Sequence, residues 1–389
     1  MTLAQQLAAA GLTLPDYRER DLGAVLPAAL AAVGAGHVVP WRDAELDRVR
    51  LDIPQARHVV VVLLDGLGHL QLEARRGHAP FLRSIESGIV TAGYPTTTAA
   101  SLAMLGTGQP AGRTGMTGYT ARNPRTNALA NLISWEGADT PEEWQPQPSL
   151  LEEAAHAGFT ITTLGRRRFV GSGLTQAVLR GGQFVGAENF SNRIDVALGA
   201  ARSSGVSYCY WGEIDAAGHR YGWESEQWVA ALEDADRELS RLARELPRDA
   251  VMVVTADHGM VDVTGAPRWD INQVPELAED VALVAGEQRA LHLHMVSGAD
   301  PHAVVQRWRG ILGNHAAVVT QADADAGGLF GEILEAHRGR IGDVVVAMGG
   351  RASVVDSRTQ SEQSMALIGV HGSLTPEELQ VPLLTAVGN

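Results

Sequence analysis

Four short stretches of this chain are apolar from end to end and then stop abruptly: "HVVVVLLDG" (58–66), "TITTLG" (160–165), "VSYCYWG" (206–212) and "AVMVVTADHG" (250–259). None alternates apolar with polar, so each predicts a strand buried on both faces, as in a parallel sheet covered by helices. Between the last two, "SEQWVAALEDADRELSRLARELP" repeats Trp228, Leu232, Ala235, Leu239 and Leu242 at helical spacing, with its charges left for water. Strand, helix, strand is a βαβ unit. The chain therefore reads as α/β, a three-layer sandwich around a mostly parallel sheet.

The texture changes from 266 to 360. "RALHLHMVSG" alternates like a half-exposed strand, "DPHAVVQRWRGIL" like an amphipathic helix, and "GDVVVAMGG" like another strand. This predicts a small α+β cap insertion in a core made of 1–265 and 361–389, with 1–50 as an N-terminal helical extension. The closing "LIGVHGSLTPEELQVPLL" is expected to rejoin the main sheet, and "EGADTPEEWQPQPS" (136–149) to be an exposed loop. The opening "MTLAQQLAAAGLTLPDYRER" has no basic leader region and reads as a surface helix; no stretch reaches the length of a membrane span. The expectation is a cytoplasmic protein.

Composition removes whole chemistries. The chain has 31 basic residues and no lysine, so a phosphate-binding P-loop and a Schiff-base lysine are both excluded. A net charge of -14 argues against nucleic-acid polymers and anionic membranes. An anionic substrate then needs a strong local positive centre, for which a bound metal is the obvious source. The one cysteine, Cys209, allows neither an internal disulfide nor a thiolate cluster and is expected to pack on its strand.

Ligands of open α/β sheets gather at the carboxyl ends of strands, and these ends carry metal-ligand chemistry. The first run stops at Asp65, the third runs into Asp215 and His219, and the fourth stops at Asp257 and His258. Taken singly, such residues are commonly turns, helix caps or satisfied polar groups. Together with His371 in "GVHGS" they form a set of three carboxylates and three imidazoles. That mixed set without thiolates suits two zinc ions, or manganese, better than calcium. Asp215 and His219, four apart, share one face of a helix.

The order "DG", "PTTT", "DxxGH", "TADHG" and "HG" resembles the alkaline phosphatase superfamily, most closely its nucleotide pyrophosphatase/phosphodiesterase branch. "DAAGHRYG" and "TADHGM" are the most specific pieces, and the likeness covers about 55–265 and the end from about 365. It implies one metal on Asp215, His219 and His371, and another on Asp65, Asp257 and His258 with the nucleophile touching it. The branch's nucleophile is the second threonine of a pattern like "YPTKT". "YPTTT" aligns without a gap, which implies Thr98, with Thr97 in place of the family's lysine. Independently, "TAASLAML" after Pro95 predicts a helix start, where free N–H groups and the dipole favour an anion. Thr96 and Thr97 then serve as turn or capping residues. Three further positions depart from the branch: Ala99 replaces a phenylalanine that helps hold a nucleotide base, Ser101 replaces an asparagine that donates to the phosphoryl oxygens, and Ile214 replaces the proline that usually precedes the first Asp of "DxxGH". A serine hydroxyl still offers one donor.

Further candidates lie outside these motifs. Arg166, Arg167 and Arg168 follow the strand "TITTLG", and such runs are usually solvated, yet one guanidinium fork suits a substrate phosphate. Tyr119, Trp135, Trp211 and Trp223 are candidate pocket walls, with core packing the commoner role. His292 and His294 point the same way on their strand and are expected to line the insertion's inner or solvent side. The resemblance implies a phosphodiesterase or pyrophosphatase that works through a phosphothreonine on a small phosphorylated molecule; monomer and homodimer both stay open. A phosphomonoesterase or phosphonate hydrolase on the same site is the near alternative, and a non-catalytic metal-binding protein the alternative of another class.

Overall fold

The computed structural model describes residues 2–17 and 19–388. In chain order the main strands are β1 (His58–Leu64), β2 (Glu86–Thr91), β3 (Thr160–Gly165), β4 (Gln183–Gly186), β5 (Gly205–Trp211), β6 (Ala250–Thr255), β7 (Val281–Glu287), β8 (Ala290–Met295), β9 (Ala316–Thr320), β10 (Val344–Met348) and β11 (Gln380–Val387). The principal helices are α1 (Val25–Ala32), α2 (Thr98–Thr107), α3 (Phe190–Ala200), α4 (Glu213–Tyr221), α5 (Glu226–Glu245) and α6 (Pro301–Leu312).

The central sheet has seven strands in the order β2-β11-β6-β1-β5-β3-β4. β1 pairs in parallel with β5 and β6, and β3 with β5 and β4, while β11 runs antiparallel to both its neighbours. The closing segment thus rejoins the main sheet, as its apolar character predicts. Every residue of β1 is buried, because valine and leucine fill both faces of a strand that has helices above and below. Leu64 pairs with Trp211 and Leu63 with Thr255, so β1, β5 and β6 end nearly level. The residues that follow all emerge on one edge.

α5 buries Trp228, Leu232, Ala235, Leu239 and Leu242, the stripe read from its spacing, and Ser225 caps it by accepting from Trp228 N (3.2 Å). Each large apolar side chain there contributes about 1.5–3 kcal/mol by burial. α1 is buried on every side and packs beside β1, so this part of the N-terminal region is internal. The first helix, Leu3–Ala9, buries Leu3 and Leu7 and is only partly a surface element.

β7 to β10 form a second, antiparallel sheet in the order β7-β8-β10-β9. Leu291, Leu293, Val344 and Val346 pack with Val304, Val305, Trp308 and Leu312 of α6. On the other face, Ala317, Val319, Val345 and Ala347 pack with Leu3, Leu7, Tyr94, Leu374 and Leu379. β8 is therefore buried on both sides, not half-exposed: its alternating histidines face a protein interior. His292 Nε2 donates to Thr117 O (2.9 Å) and its Nδ1 accepts from Gly342 N (3.1 Å). Burial pushes His292 down to about 4 and His294 to about 3, which keeps both neutral.

A second correction concerns 136–149. Pro141–Trp144 is a short helix capped by Thr140, and Trp144 is fully buried. Trp144 Nε1 donates to Gly115 O (3.3 Å), and the Arg340 guanidinium lies 4.1 Å from its ring centroid while donating to Trp144 O (2.6 Å). The polar composition around it hid one aromatic anchor. Trp144→Ala is expected to cost about 3–5 kcal/mol, read as a lower urea midpoint. A loss below about 1 kcal/mol would place the side chain outside the core.

Candidate active site

The strand ends deliver the candidate ligands to one place. At the end of β1, Gly66 adopts φ +75, and a Cβ there would fall 2.8 Å from Asp215 Cβ, so the glycine of "DG" lets Asp65 and Asp215 approach. Asp215 N donates to Asp65 O (3.1 Å). One turn along α4, His219 Nε2 stands 3.3 Å from Asp215 Oδ2. After β6, His258 Nε2 lies 3.5 Å from Asp65 Oδ1 and 3.6 Å from Asp257 Oδ2. After the two-residue strand Gly369–Val370, His371 Nε2 lies 3.9 Å from Asp215 Oδ1 and its ring stacks on His258 at 3.6 Å. All six residues converge.

Each imidazole is oriented from behind. Nδ1 donates to Gly369 O in His219 (2.7 Å), to Gly259 O in His258 (3.1 Å) and to Thr96 O in His371 (2.8 Å). This leaves three Nε2 lone pairs aimed inward, the arrangement metal-binding histidines require. The carboxylates match: Asp65 Oδ1, Asp215 Oδ1 and Asp257 Oδ2 are buried without hydrogen-bond partners. Their other oxygens are engaged in part, Asp65 Oδ2 by the Tyr210 hydroxyl and Asp257 Oδ1 by Gly66 N (3.1 Å) and His258 N (3.1 Å). Burial, then Asp257 and Asp215, hold the Asp65 carboxyl well above the usual range, and burial raises Asp257. Burial, then the neighbouring His258 and His219, holds His371 well below the usual imidazole range, so it is neutral. Orphaned carboxylate oxygens facing imidazole nitrogens fit divalent cations. Two groups lie within 4.8 Å: Asp215, His219 and His371, and Asp65, Asp215 and His258. Asp215 thus belongs to both groups, where the resemblance implies only the first.

Thr98 is the first residue of α2, half-buried, with Oγ1 3.3 Å from His258 Nε2. The sequence places a helix start here, and the fold brings it to the metal-ligand cluster. Thr96 is a bridging residue: its hydroxyl donates to Ser373 O (2.7 Å) and accepts from Gly372 N (3.1 Å), tying α2 to the His371 turn. Thr97 occupies the cap position, yet its hydroxyl makes no cap bond and has no partner. Ser101 is buried one turn into α2 with Oγ unpartnered, and is not among the described residues that line the cavity.

That cavity has a volume of about 580 Å³ and holds Asp65, Thr98, Asp215, His219 and His371 at its floor. Of the arginine triplet, Arg168 lines it and stacks on Phe169 (4.9 Å). Arg166 is instead paired with Glu213, and Arg167 is exposed outside the lining. Tyr119 forms a wall and remains 44% exposed, available to a ligand. The tryptophans are packing residues: Trp211 stacks on Phe190 (4.4 Å), Trp223 meets Trp228, and Trp135 packs against the main core. Sequence reasoning missed Tyr210 and Phe169, which meet edge-on at 5.7 Å, and Glu287 from the second sheet. Tyr210 carried a usable signal, because it is the penultimate residue of a strand ending at the site. Burial, with Glu378 adding, raises the Glu287 carboxyl well above the usual range.

A hydroxyl at a helix start, beside a cluster of carboxylates and imidazoles at the carboxyl edge of a mostly parallel sheet, is the arrangement of the alkaline phosphatase superfamily, to which the chain belongs. The type I phosphodiesterase / nucleotide pyrophosphatase family matches residues 59–374, and the chain belongs to that family. It is accordingly a phosphoric ester hydrolase of a metal-dependent family. The fold is similar to murine ectonucleotide pyrophosphatase / phosphodiesterase 5, at 17% identity over 84% of this chain and 87% of that one, with a TM-score of 0.68. An inactive variant of that murine protein was solved in complex with AMP. Phosphonoacetate hydrolase from Sinorhizobium meliloti, in complex with phosphonoformate, is similar at 19% identity over 85% and 90% of the two chains, with a TM-score of 0.65. No curated protein matches the chain. Among the described residues, no helix is long and apolar enough to cross a membrane.

Proposed function

We propose that the protein hydrolyses a phosphodiester or pyrophosphate bond with Thr98 as the nucleophile. The observation that carries this reading is the Thr98 hydroxyl, first in its helix and 3.3 Å from His258 Nε2, at the floor of the cavity. Asp215, His219 and His371 would hold one divalent cation, and Asp65, Asp257 and His258 a second; zinc is the best match to this donor set and manganese the next. Such cations supply the positive charge that favours an ionised hydroxyl and offsets charge developing on the oxygens around phosphorus.

The chain's own groups account for the rest. Thr98 Oγ1 forms a bond to phosphorus as the bond to the leaving oxygen breaks, giving a phosphothreonine and a released alcohol or phosphate. The first N–H groups of α2 point at the transferred group and stabilise its negative charge. Water then attacks phosphorus, the Thr98 Oγ1 bond breaks, and a proton returns to the hydroxyl. Gly369, Gly259 and Thr96 hold the three imidazoles in one tautomer throughout.

A monoester carries more charge and calls for an added cation beside the phosphoryl group. Arg168 is the one arginine among the described lining residues, and it stacks on Phe169 beside the apolar wall. The reading therefore favours diesters, with bis-p-nitrophenyl phosphate turned over at least about tenfold faster than the monoester in kcat/KM. The opposite order would support the monoesterase reading. Resemblance in fold to phosphonoacetate hydrolase keeps phosphonates as the second substrate class, tested in the same panel by phosphonoacetate.

A further inference from the structure

The turn joining β7 to β8 is fixed on both sides of Glu287. Gly286 N donates to Thr120 Oγ1 (3.0 Å), which in turn donates to Gly286 O (2.9 Å). Gln288 Nε2 donates to Ser364 O (2.7 Å). Arg289 is fully buried and sets Nε and Nη2 on the Glu378 carboxylate (2.7 and 2.8 Å), with further donations to Ala352 O, Gly350 O and Met348 O. Glu287, between these anchors, is not engaged in the same way.

Its side chain lines the active cavity, and its Oε1 is buried with no hydrogen-bond partner. It lies against Gly372, the residue after His371: a Cβ there would fall 2.9 Å from Glu287 Cδ. The adjacent Arg289 is committed to Glu378, and Asp356, another acidic residue lining the cavity, is already paired with Arg358. A desolvated carboxyl oxygen without a partner is destabilising, and leucine at that point would remove the cost. Rigid neighbours, a catalytic cavity and an unspent acceptor together describe a binding group.

We propose that Glu287 selects substrates whose ester substituent carries a hydrogen-bond donor, a hydroxyl or an ammonium, and holds that donor beside the reacting phosphorus. The proposal rests on the phosphodiesterase reading above and names the substrate feature that the site prefers. The apolar part of the same wall, Leu129, Ile133, Val284 and Leu367, accommodates the carbon skeleton that bears the donor.

The test compares the propyl, hydroxypropyl and aminopropyl esters of p-nitrophenyl phosphate, followed by nitrophenolate release from the metal-loaded enzyme. In the wild type, at least one donor ester is expected to exceed the propyl ester about tenfold in kcat/KM, the size of one hydrogen bond. Glu287→Leu is expected to bring that ratio near one and to raise Tm, since an unpartnered buried carboxyl is removed. Glu287→Gln keeps a hydroxyl preference and loses an ammonium preference, which separates the two donors. Turnover of all three esters without preference, a preference that survives in the leucine variant, or a lower Tm in that variant would each overturn the role of Glu287 alone. No release from any of the three esters would overturn the phosphodiesterase reading and this one with it.

Discussion

Thr98→Ala is expected to lower turnover of bis-p-nitrophenyl phosphate roughly a thousandfold or more while leaving bound metal in place. The separation follows from geometry. In the reading proposed above six other residues would hold the metal, and the three imidazoles keep their backbone bonds whether or not the hydroxyl is present. The helix itself should tolerate alanine at its first position, because Ser101 N still bonds Thr97 O (2.8 Å) and Thr98 provides no cap bond. Metal content by mass spectrometry and turnover by nitrophenolate release are the two readouts. Acid quenching of the wild type during turnover should also recover phosphorus on Thr98. Full activity in the alanine variant would remove Thr98 from the chemistry and leave the aligned hydroxyls of Thr96 and Thr97 without a case.

Stripping divalent metal is expected to abolish turnover and to leave a stability curve with two opposed pH slopes. On the alkaline side the cause is the carboxyl cluster. Asp65 and Asp257 are held above the usual range, so the folded state retains protons that the unfolded chain releases above about pH 4. Stability from these groups therefore declines as pH rises through that window. On the acidic side the buried neutral histidines act oppositely. His292, His294 and His337 sit at about 4, 3 and 4, and His371 is also held low. Below about pH 6.5 the unfolded chain gains protons that these residues refuse, and stability falls with pH. Above about pH 7 the histidines are neutral in both states, and only a carboxyl still protonated in the folded state adds a slope. Zinc should remove the carboxyl slope and add about 4 kcal/mol for each site filled at a thousandfold excess over Kd. Thermal melts in a chelator across this range, with and without zinc or manganese, check it. A metal-free protein whose Tm rises steadily above pH 7 would show that the carboxylates are already neutralised from within the chain.

How much of this was legible in the sequence depended on range. Asp65 and Asp257 were readable because a strand buried on both faces must end at a turn, and that turn lies on the ligand edge of the sheet. Asp215 and His219 were readable through helical spacing, and Thr98 through the helix that starts beside a proline. Asp215's place between two groups was not, because it arises from the approach allowed by Gly66. The arginine triplet shows the limit more sharply. Three adjacent guanidinium groups were equivalent as letters, but Glu213 engages Arg166, solvent takes Arg167, and Arg168 alone meets the cavity. Trp144 and β8 were misread because local polarity and alternation say which faces differ, not what covers them. Glu287 left no local signal: it reaches the site through a sheet docked some eighty residues before His371 in the chain.

The Arg289–Glu378 pair has a consequence for how such enzymes can diverge or be recombined. Glu378 also accepts from Ser373 N (3.0 Å) and the Thr375 hydroxyl (2.7 Å), so one buried carboxylate fastens both the turn before β8 and the segment that carries His371. Excising residues 266–360, or grafting that stretch from a relative lacking the arginine, would strand this charge at about 3–5 kcal/mol. Exchange of specificity is therefore a two-piece transplant, in which "EQR" (287–289) and "SLTPEE" (373–378) travel as a matched set.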